Sequence, residues 1–142
     1  MKFPFEKEVV SENETKELAL SFAKEIKDGQ TIVLNGELGA GKTFFVKYAV
    51  TVWGISFASS PSFTIVNIYN GERRIYHFDF YRIKNKEELL DIGFNDYLND
   101  QEAIIFIEWG NLIPEILPES RIEININMSQ DSNRNFRFVK HD

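Results

Sequence analysis

Eight consecutive residues, Gly36, Glu37, Leu38, Gly39, Ala40, Gly41, Lys42 and Thr43, fit the pattern G-x-x-x-x-G-K-[ST] without a mismatch. Each residue type has a chemical reason to be there. Glycines accept positive φ and let backbone N–H groups come close to phosphate oxygens. A helix opening directly behind them adds partial positive charge. A lysine at position 42 meets β and γ phosphates as a point charge, and the Thr43 hydroxyl suits Mg²⁺. We read the octet as a nucleotide phosphate cradle; the plain alternative is a glycine-rich turn that only enters a helix.

Such a cradle needs carboxylates. Ile104, Ile105, Phe106 and Ile107 form an apolar run that ends in Glu108, the pattern of a strand delivering an acid to a metal–nucleotide site. Three roles are open to Glu108: direct Mg²⁺ ligand, ligand through water, or orienter of the attacking water. A strand-end surface glutamate is the bland alternative. Asp79 stands in His77-Phe78-Asp79-Phe80-Tyr81-Arg82. In an extended chain His77, Asp79 and Tyr81 share one face and Phe78 and Phe80 the other. With phenylalanine toward the core, the first three aim into a cleft, where Asp79 polarises water or holds a metal-bound one. The competing reading pairs Asp79 with Arg82 or uses it to cap the next turn. His77 and Trp109 read as structural and packing residues. Arg82 is the in-chain candidate for an arginine finger. Residues 59–64 are polar and turn-forming, either an ordinary loop or a switch that senses the γ-phosphate through a hydroxyl.

These residues need elements to position them. Residues 6–11 read as a short edge strand and 12–27 as a helix, with Leu18, Ala19, Phe22, Ala23 and Ile26 at helical spacing. Ser11 precedes Glu14 by the spacing of a capping box. Residues 30–35 contain a buried central strand, and 42–53 a second helix, so the octet lies on a strand–loop–helix unit. Residues 62–69 and 73–81 read as a hairpin turned at Asn70-Gly71. Short helical segments over 86–98 break at Gly93, and 103–108 form another central strand. Pro114 and Pro118 bracket a loop or short helix. Residues 121–127 alternate as a half-exposed strand, and 135–139 form a final edge strand. The fold class expected is α/β, a P-loop NTPase-like mixed sheet with a parallel centre and antiparallel edge strands, flanked by helices. We assign residues 1–142 to a single P-loop nucleotide-binding domain.

Composition narrows the field. There is no cysteine and there are two histidines, which excludes disulfides and Cys-based metal centres and leaves little for a His-ligated one. No apolar run approaches membrane-spanning length, and residues 1–7 lack a signal-peptide stretch, so a cytoplasmic protein without membrane contact is expected. A net charge of −6, from 16 Lys+Arg against 22 Asp+Glu, disfavours autonomous nucleic-acid binding. Arg73, Arg74, Arg82, Lys84 and Lys86 form a local basic stretch, read as a solvated face or as a partner or tRNA surface. Neither a guanine-specificity motif nor an LSGGQ-like run is present, which disfavours a GTPase and an ABC ATPase.

Several segments in order carry a resemblance. Residues 36–43, Ser-Pro-Ser-Phe-Thr-Ile-Val at 60–66, His-Phe-Asp-Phe-Tyr-Arg-Ile at 77–83, Glu87-Glu88 followed by Gly93 and Asp96-Tyr97-Leu98, and Ile-Glu-Trp at 107–109 resemble the bacterial TsaE (YjeE) family of small ATPases. The resemblance implies ATP/ADP and Mg²⁺ as ligands. It also implies work with a TsaB–TsaD heterodimer in making threonylcarbamoyladenosine at position 37 of tRNA, with tRNA met only through that complex. By the same resemblance Lys42, Asp79 and Glu108 are catalytic, Thr43 and Glu108 hold the metal, and residues 36–43 hold the nucleotide. Ser11 matches a position near the base. Two departures stand out: Ser62 replaces the usual threonine, and Gly110-Asn111 replaces an acid that usually follows Ile-Glu-Trp. The C-terminal segment varies too much for transfer residue by residue, and Arg134 receives no role.

Three functions are thereby set against one another. The first is a slow Mg²⁺-ATPase that drives the threonylcarbamoyl-transferase complex. The second is a P-loop small-molecule kinase, which needs an acceptor pocket and an arginine-bearing lid. The third is a nucleotide-gated scaffold with incidental hydrolysis.

Overall fold

The computed structural model describes residues 1–56, 58, 64–129 and 131–142. Seven strands make one sheet: β1 (Phe5–Val9), β2 (Thr31–Gly36), β3 (Val66–Asn70), β4 (Arg74–Asp79), β5 (Ala103–Glu108), β6 (Arg121–Met128) and β7 (Arg134–His141). Their order is β1-β7-β6-β2-β5-β4-β3. The β6-β2, β2-β5 and β5-β4 pairs are parallel, and β1-β7, β7-β6 and β4-β3 are antiparallel. The parallel centre with antiparallel margins is the architecture expected from the sequence.

The centre is apolar because it is covered on both faces. Ile32, Leu34, Ile104 and Phe106 point toward helices α1 (Glu12–Ala23) and α2 (Lys42–Ala49), joined there by Phe22, Phe45, Phe136 and Phe138. Val33, Ile105 and Ile107 point the other way, against Phe78, Phe80, Leu89 and Phe94. Leu89 and Phe94 come from α3 (Lys86–Asp91) and α4 (Phe94–Leu98). Each such side chain removed from water stabilises by about 1.5–3 kcal/mol. Among the described residues no helix is long and apolar enough to cross a membrane.

Several expected boundaries shift for local reasons. Helix α1 ends at Ala23 rather than at 27, yet Ile26 is buried. Glu25 N–H donates to the Phe22 carbonyl and Ile26 N–H to that of Ala23, so the chain tightens to a three-residue repeat. That repeat keeps Ile26 on the apolar face, which is why spacing alone extends the helix. The second helix likewise passes into a 3₁₀ turn over Val50–Trp53.

The hairpin closes through Gly71, Glu72 and Arg73, since Asn70 still pairs with Arg74. Gly71 is there for room: a Cβ would lie 2.4 Å from the Trp53 carbonyl oxygen. Strand β7 corrects an expectation. It is interior, because β1 pairs along its outer side from Phe5↔Phe138 to Val9↔Arg134. Its alternating polar residues look edge-like, but Glu6 and Glu8 of β1 accept from Asn135 and Asn133.

Candidate functional site

The site lies where β2, β4 and β5 end together. Strand β2 stops at Gly36, the chain turns through 37–41, and α2 begins at Lys42. Gly41, with φ of 105°, is the N-cap of α2, and Gly39 has φ of 80°. These left-handed positions are where the motif needs glycine. No side chain caps α2, so the first-turn N–H groups stay available to a ligand. Ala40 is buried against the α1–α2 core and anchors the loop.

Lys42 is only 5% exposed. Its ammonium donates to the carbonyls of Gly36 (2.6 Å) and Glu37 (2.9 Å) and lies 4.0 Å from the centre of the Trp109 ring. Burial holds its pKa below the usual lysine range, against the opposing pull of Glu108 and Asp79. The cation is thus partly stripped of water, which strengthens its pull on an anion, while the two acids beside it offset part of that pull.

Register brings the acids together. Asp79 ends β4 beside Glu108, which ends β5 and pairs on its other side with Leu34. Glu108 is 2% exposed. Its Oε1 accepts from the Thr43 hydroxyl at 2.7 Å, and its Oε2 lies 2.6 Å from His77 Nε2. Asp79 is half-buried, lines the cleft, and accepts from Tyr81 N–H at 2.9 Å, so the turn-capping reading holds as well. The hydroxyl of Thr43 and the carboxylates of Glu108 and Asp79 are hard oxygen donors. That set suits a small divalent cation whose remaining positions are filled by phosphate and water.

The expectation that His77 turns away from the core needs correcting. His77 is fully buried, because the sheet face it shares with Ile75 lies under the α1–α2 core. Only the far end of that face, at Asp79 and Tyr81, opens on the cleft.

The cleft has a volume of about 440 Å³. Leu38, Gly39, Gly41, Lys42 and Thr43 form its floor, Asp79, Tyr81, Glu108 and Trp109 one wall, and Glu12, Thr15, Phe44 and Arg134 the rest. Gly36, Glu37 and Ala40, expected in the cradle, are not in the lining: the carbonyls of the first two accept from Lys42, and Ala40 is buried. Ser11 is not in the lining. Its Oγ accepts from Glu14 N–H at 3.2 Å and caps α1, placing Glu12 and Thr15 at the rim. Arg82 is also outside the lining. Most of the proposed switch loop, residues 59–63, lies outside the described residues, Ser62 included. Of the basic stretch, Arg73 pairs with Asp28 and Arg74 with Asp100, both toward solvent.

Two residues at the site have no site role from the sequence, where Trp109 reads only as packing and Arg134 receives none. Trp109 follows Glu108 with φ of 63°, left-handed and strained for a bulky residue. That turn swings its ring over Lys42 and beside Tyr81, 4.9 Å between centroids. Arg134, at the start of β7, donates from Nη2 to the Gly39 carbonyl at 3.3 Å. Its Nε is buried with no partner among the described residues.

A parallel sheet with a G-x-x-x-x-G-K-T turn between β2 and α2, and an acid delivered by the neighbouring β5, defines a P-loop fold. The family described as Threonylcarbamoyl adenosine biosynthesis protein TsaE matches residues 9–136, and the chain belongs to that family. A tRNA threonylcarbamoyladenosine biosynthesis protein TsaE from Rickettsia typhi is 39% identical over 127 residues, covering 87% of each chain. Its counterpart from Bacillus subtilis is 39% identical over 132 residues, covering 92% of this chain and 82% of that one. The crystal structure of YdiB from Bacillus subtilis superposes with a TM-score of 0.82 at 33% identity, covering 100% of this chain and 88% of that one. The chain therefore belongs to tRNA threonylcarbamoyladenosine biosynthesis.

Proposed function

We propose that the chain is a magnesium-dependent ATPase that couples ATP binding and hydrolysis to a threonylcarbamoyl-transferase complex acting at adenosine 37 of tRNA. The observation that carries the reading is the 2.7 Å hydrogen bond from Thr43 to Glu108. It joins the phosphate loop to the strand-end acid beside a buried lysine. ATP lies with its phosphates on residues 38–43. Lys42 and the loop amides meet the charge that develops on the γ-phosphoryl group. Asp79 and Glu108 face that end of the cleft and orient the attacking water. Mg²⁺, held by Thr43 and Glu108, would supply electrostatic stabilisation of the phosphate oxygens. Family membership supports the place in tRNA modification and a TsaB–TsaD heterodimer as partner, with tRNA met through the complex.

The test is phosphate release from ATP with Mg²⁺, alone and with purified TsaB and TsaD. Expected is slow release by the chain alone, stimulated by the partners and abolished by Lys42→Ala. Turnover untouched by Lys42→Ala would sink the ATPase reading. Turnover indifferent to the partners would sink the coupling.

A further inference from the structure

His77 has two ring nitrogens, and both are engaged inside the protein. Nε2 lies 2.6 Å from Glu108 Oε2, and Nδ1 lies 3.0 Å from the hydroxyl of Tyr69. Glu108 as a carboxylate only accepts, and its other oxygen already accepts from Thr43. In the neutral form of the ring the proton is then on Nε2, and Nδ1 accepts from the Tyr69 O–H. The result is one directed chain, Tyr69 to His77 to Glu108, meeting Thr43 from the opposite side.

From this geometry we infer that His77 and Tyr69 are positioning residues for Glu108, fixing the rotation of its carboxylate so that Oε1 faces Thr43 and the phosphate loop. The inference rests on the ATPase reading above, with Glu108 at the metal and water end of the cleft. A carboxylate on a strand end rotates about its terminal torsion with little resistance. Glu108 is denied that freedom because a donor holds each oxygen, the buried His77 on one and the half-buried Thr43 on the other. His77 is held in turn by register: it pairs with Phe106 on β5 and with Asn67 on β3. Tyr69 belongs to β3 as well, so the hairpin that carries it sets the ring tautomer. A buried histidine with no functional target would serve equally well against any carbonyl. This one is spent on the acid that the phosphate loop also touches. Partners of this kind typically change metal affinity or activity by 10- to 100-fold.

Two measurements test the inference. The ¹⁵N shifts of His77 in the chain without nucleotide should show the Nε2–H tautomer; the Nδ1–H tautomer would overturn the assignment. Mg²⁺ titrations of ADP binding and of phosphate release then separate positioning from folding. His77→Leu should lower turnover about 10- to 100-fold and raise the Mg²⁺ requirement about tenfold. Metal-free ADP binding should stay within about twofold, because the loop contacts are intact. His77→Gln, which restores a donor toward Glu108, should recover most of the loss. Tyr69→Phe should cost about threefold to tenfold in the wild-type background and nothing in the His77→Gln background, where no Nδ1 remains.

A folded His77→Leu variant with wild-type Mg²⁺ dependence would refute the inference, as would additive Tyr69 and His77 effects. If His77→Leu fails to fold, an unchanged Mg²⁺ requirement in Tyr69→Phe refutes it alone. A wild-type chain without Lys42-dependent turnover removes the ATPase reading and this inference with it. Loss confined to the His77 and Tyr69 arms leaves the ATPase reading standing.

Discussion

Thr43 and Glu108 are 65 residues apart in sequence, and the hydroxyl of the first donates to the carboxylate of the second at 2.7 Å. The first opens the helix after the phosphate loop and the second closes a strand paired with the one before it. Any movement of α2 relative to β5 must break or lengthen that bond. The pair is thus a gauge of whether the loop and the acid are in register.

Lys42 carries a penalty from its burial. Burial lowers its pKa, so its charge costs stability wherever both folded and unfolded chains are protonated. Lys42→Met should therefore keep or raise the melting temperature at neutral pH while abolishing nucleotide affinity. The gap should narrow as pH rises through the lowered pKa toward 10.5, the ordinary value. Calorimetric melting across that range checks it; a variant that melts lower at pH 7 contradicts it.

Trp109 reports on the cleft. Of the two tryptophans, Trp53 is buried under α1 and α2 while Trp109 faces the Lys42 ammonium. Nucleotide that draws Lys42 onto phosphate should change the tryptophan fluorescence. The change should vanish in Trp109→Phe and survive in Trp53→Phe. The reverse pattern would place the responding site elsewhere.

Arg134 should contribute to nucleotide affinity. Its Nη2 touches the loop at Gly39, and its buried Nε has a donor to spare. A charge-assisted hydrogen bond contributes about 1.5–3 kcal/mol, so Arg134→Ala should weaken ATP binding by about tenfold or more. Arg134→Lys should not restore it, because the fork geometry is lost. Calorimetric titration that finds unchanged affinity would exclude the contact.

Far from the cleft, Asp100 binds the Tyr76 hydroxyl at 2.5 Å and Arg74 at 2.7 Å. The Tyr76 hydrogen bond, with Arg74 behind it, holds the Asp100 carboxyl below its usual range. A depressed carboxyl stabilises the fold above its unfolded pKa, and that stability disappears as pH falls through the folded value. Asp100→Asn should thus be less stable than wild type at pH 7, the two converging below the ordinary 3.8. Equal unfolding midpoints at pH 7 would show that the cluster contributes nothing.

What could be read from the sequence was local. Gly39, Gly41, Lys42 and Thr43 declare their chemistry by type and spacing, and the apolar runs at 31–34 and 103–107 declare strands covered on both faces. The turn chemistry at Gly93 likewise separated two short helices, α3 and α4. What escaped was non-local. Arg134 meets Gly39 across 95 residues of sequence, through a β7 whose place depends on pairing with β1. Trp109 meets Lys42 only because of a left-handed residue that no periodicity marks. His77 read as a face-sharing neighbour of Asp79, which is correct, but alternation does not say that helices close over that face. The extension of the first helix to residue 27 failed because a three-residue and a four-residue repeat bury Ile26 alike.

The outer pairing of β1 with β7 has a kinetic consequence. Val9, two residues before Ser11, the N-cap of α1, is paired with Arg134 itself. Peeling β1 away would free the start of α1 and the outer side of Arg134 in one event, while its pairing with Met128 of β6 and the parallel strands stayed bonded. Backbone amides of β1, and those of β7 that face β1, should therefore exchange with deuterium through a shallow local opening, and those of β2 and β5 only through global unfolding. One rim of the cleft is thus built on the part of the sheet that breathes first, and its floor on the part that breathes last.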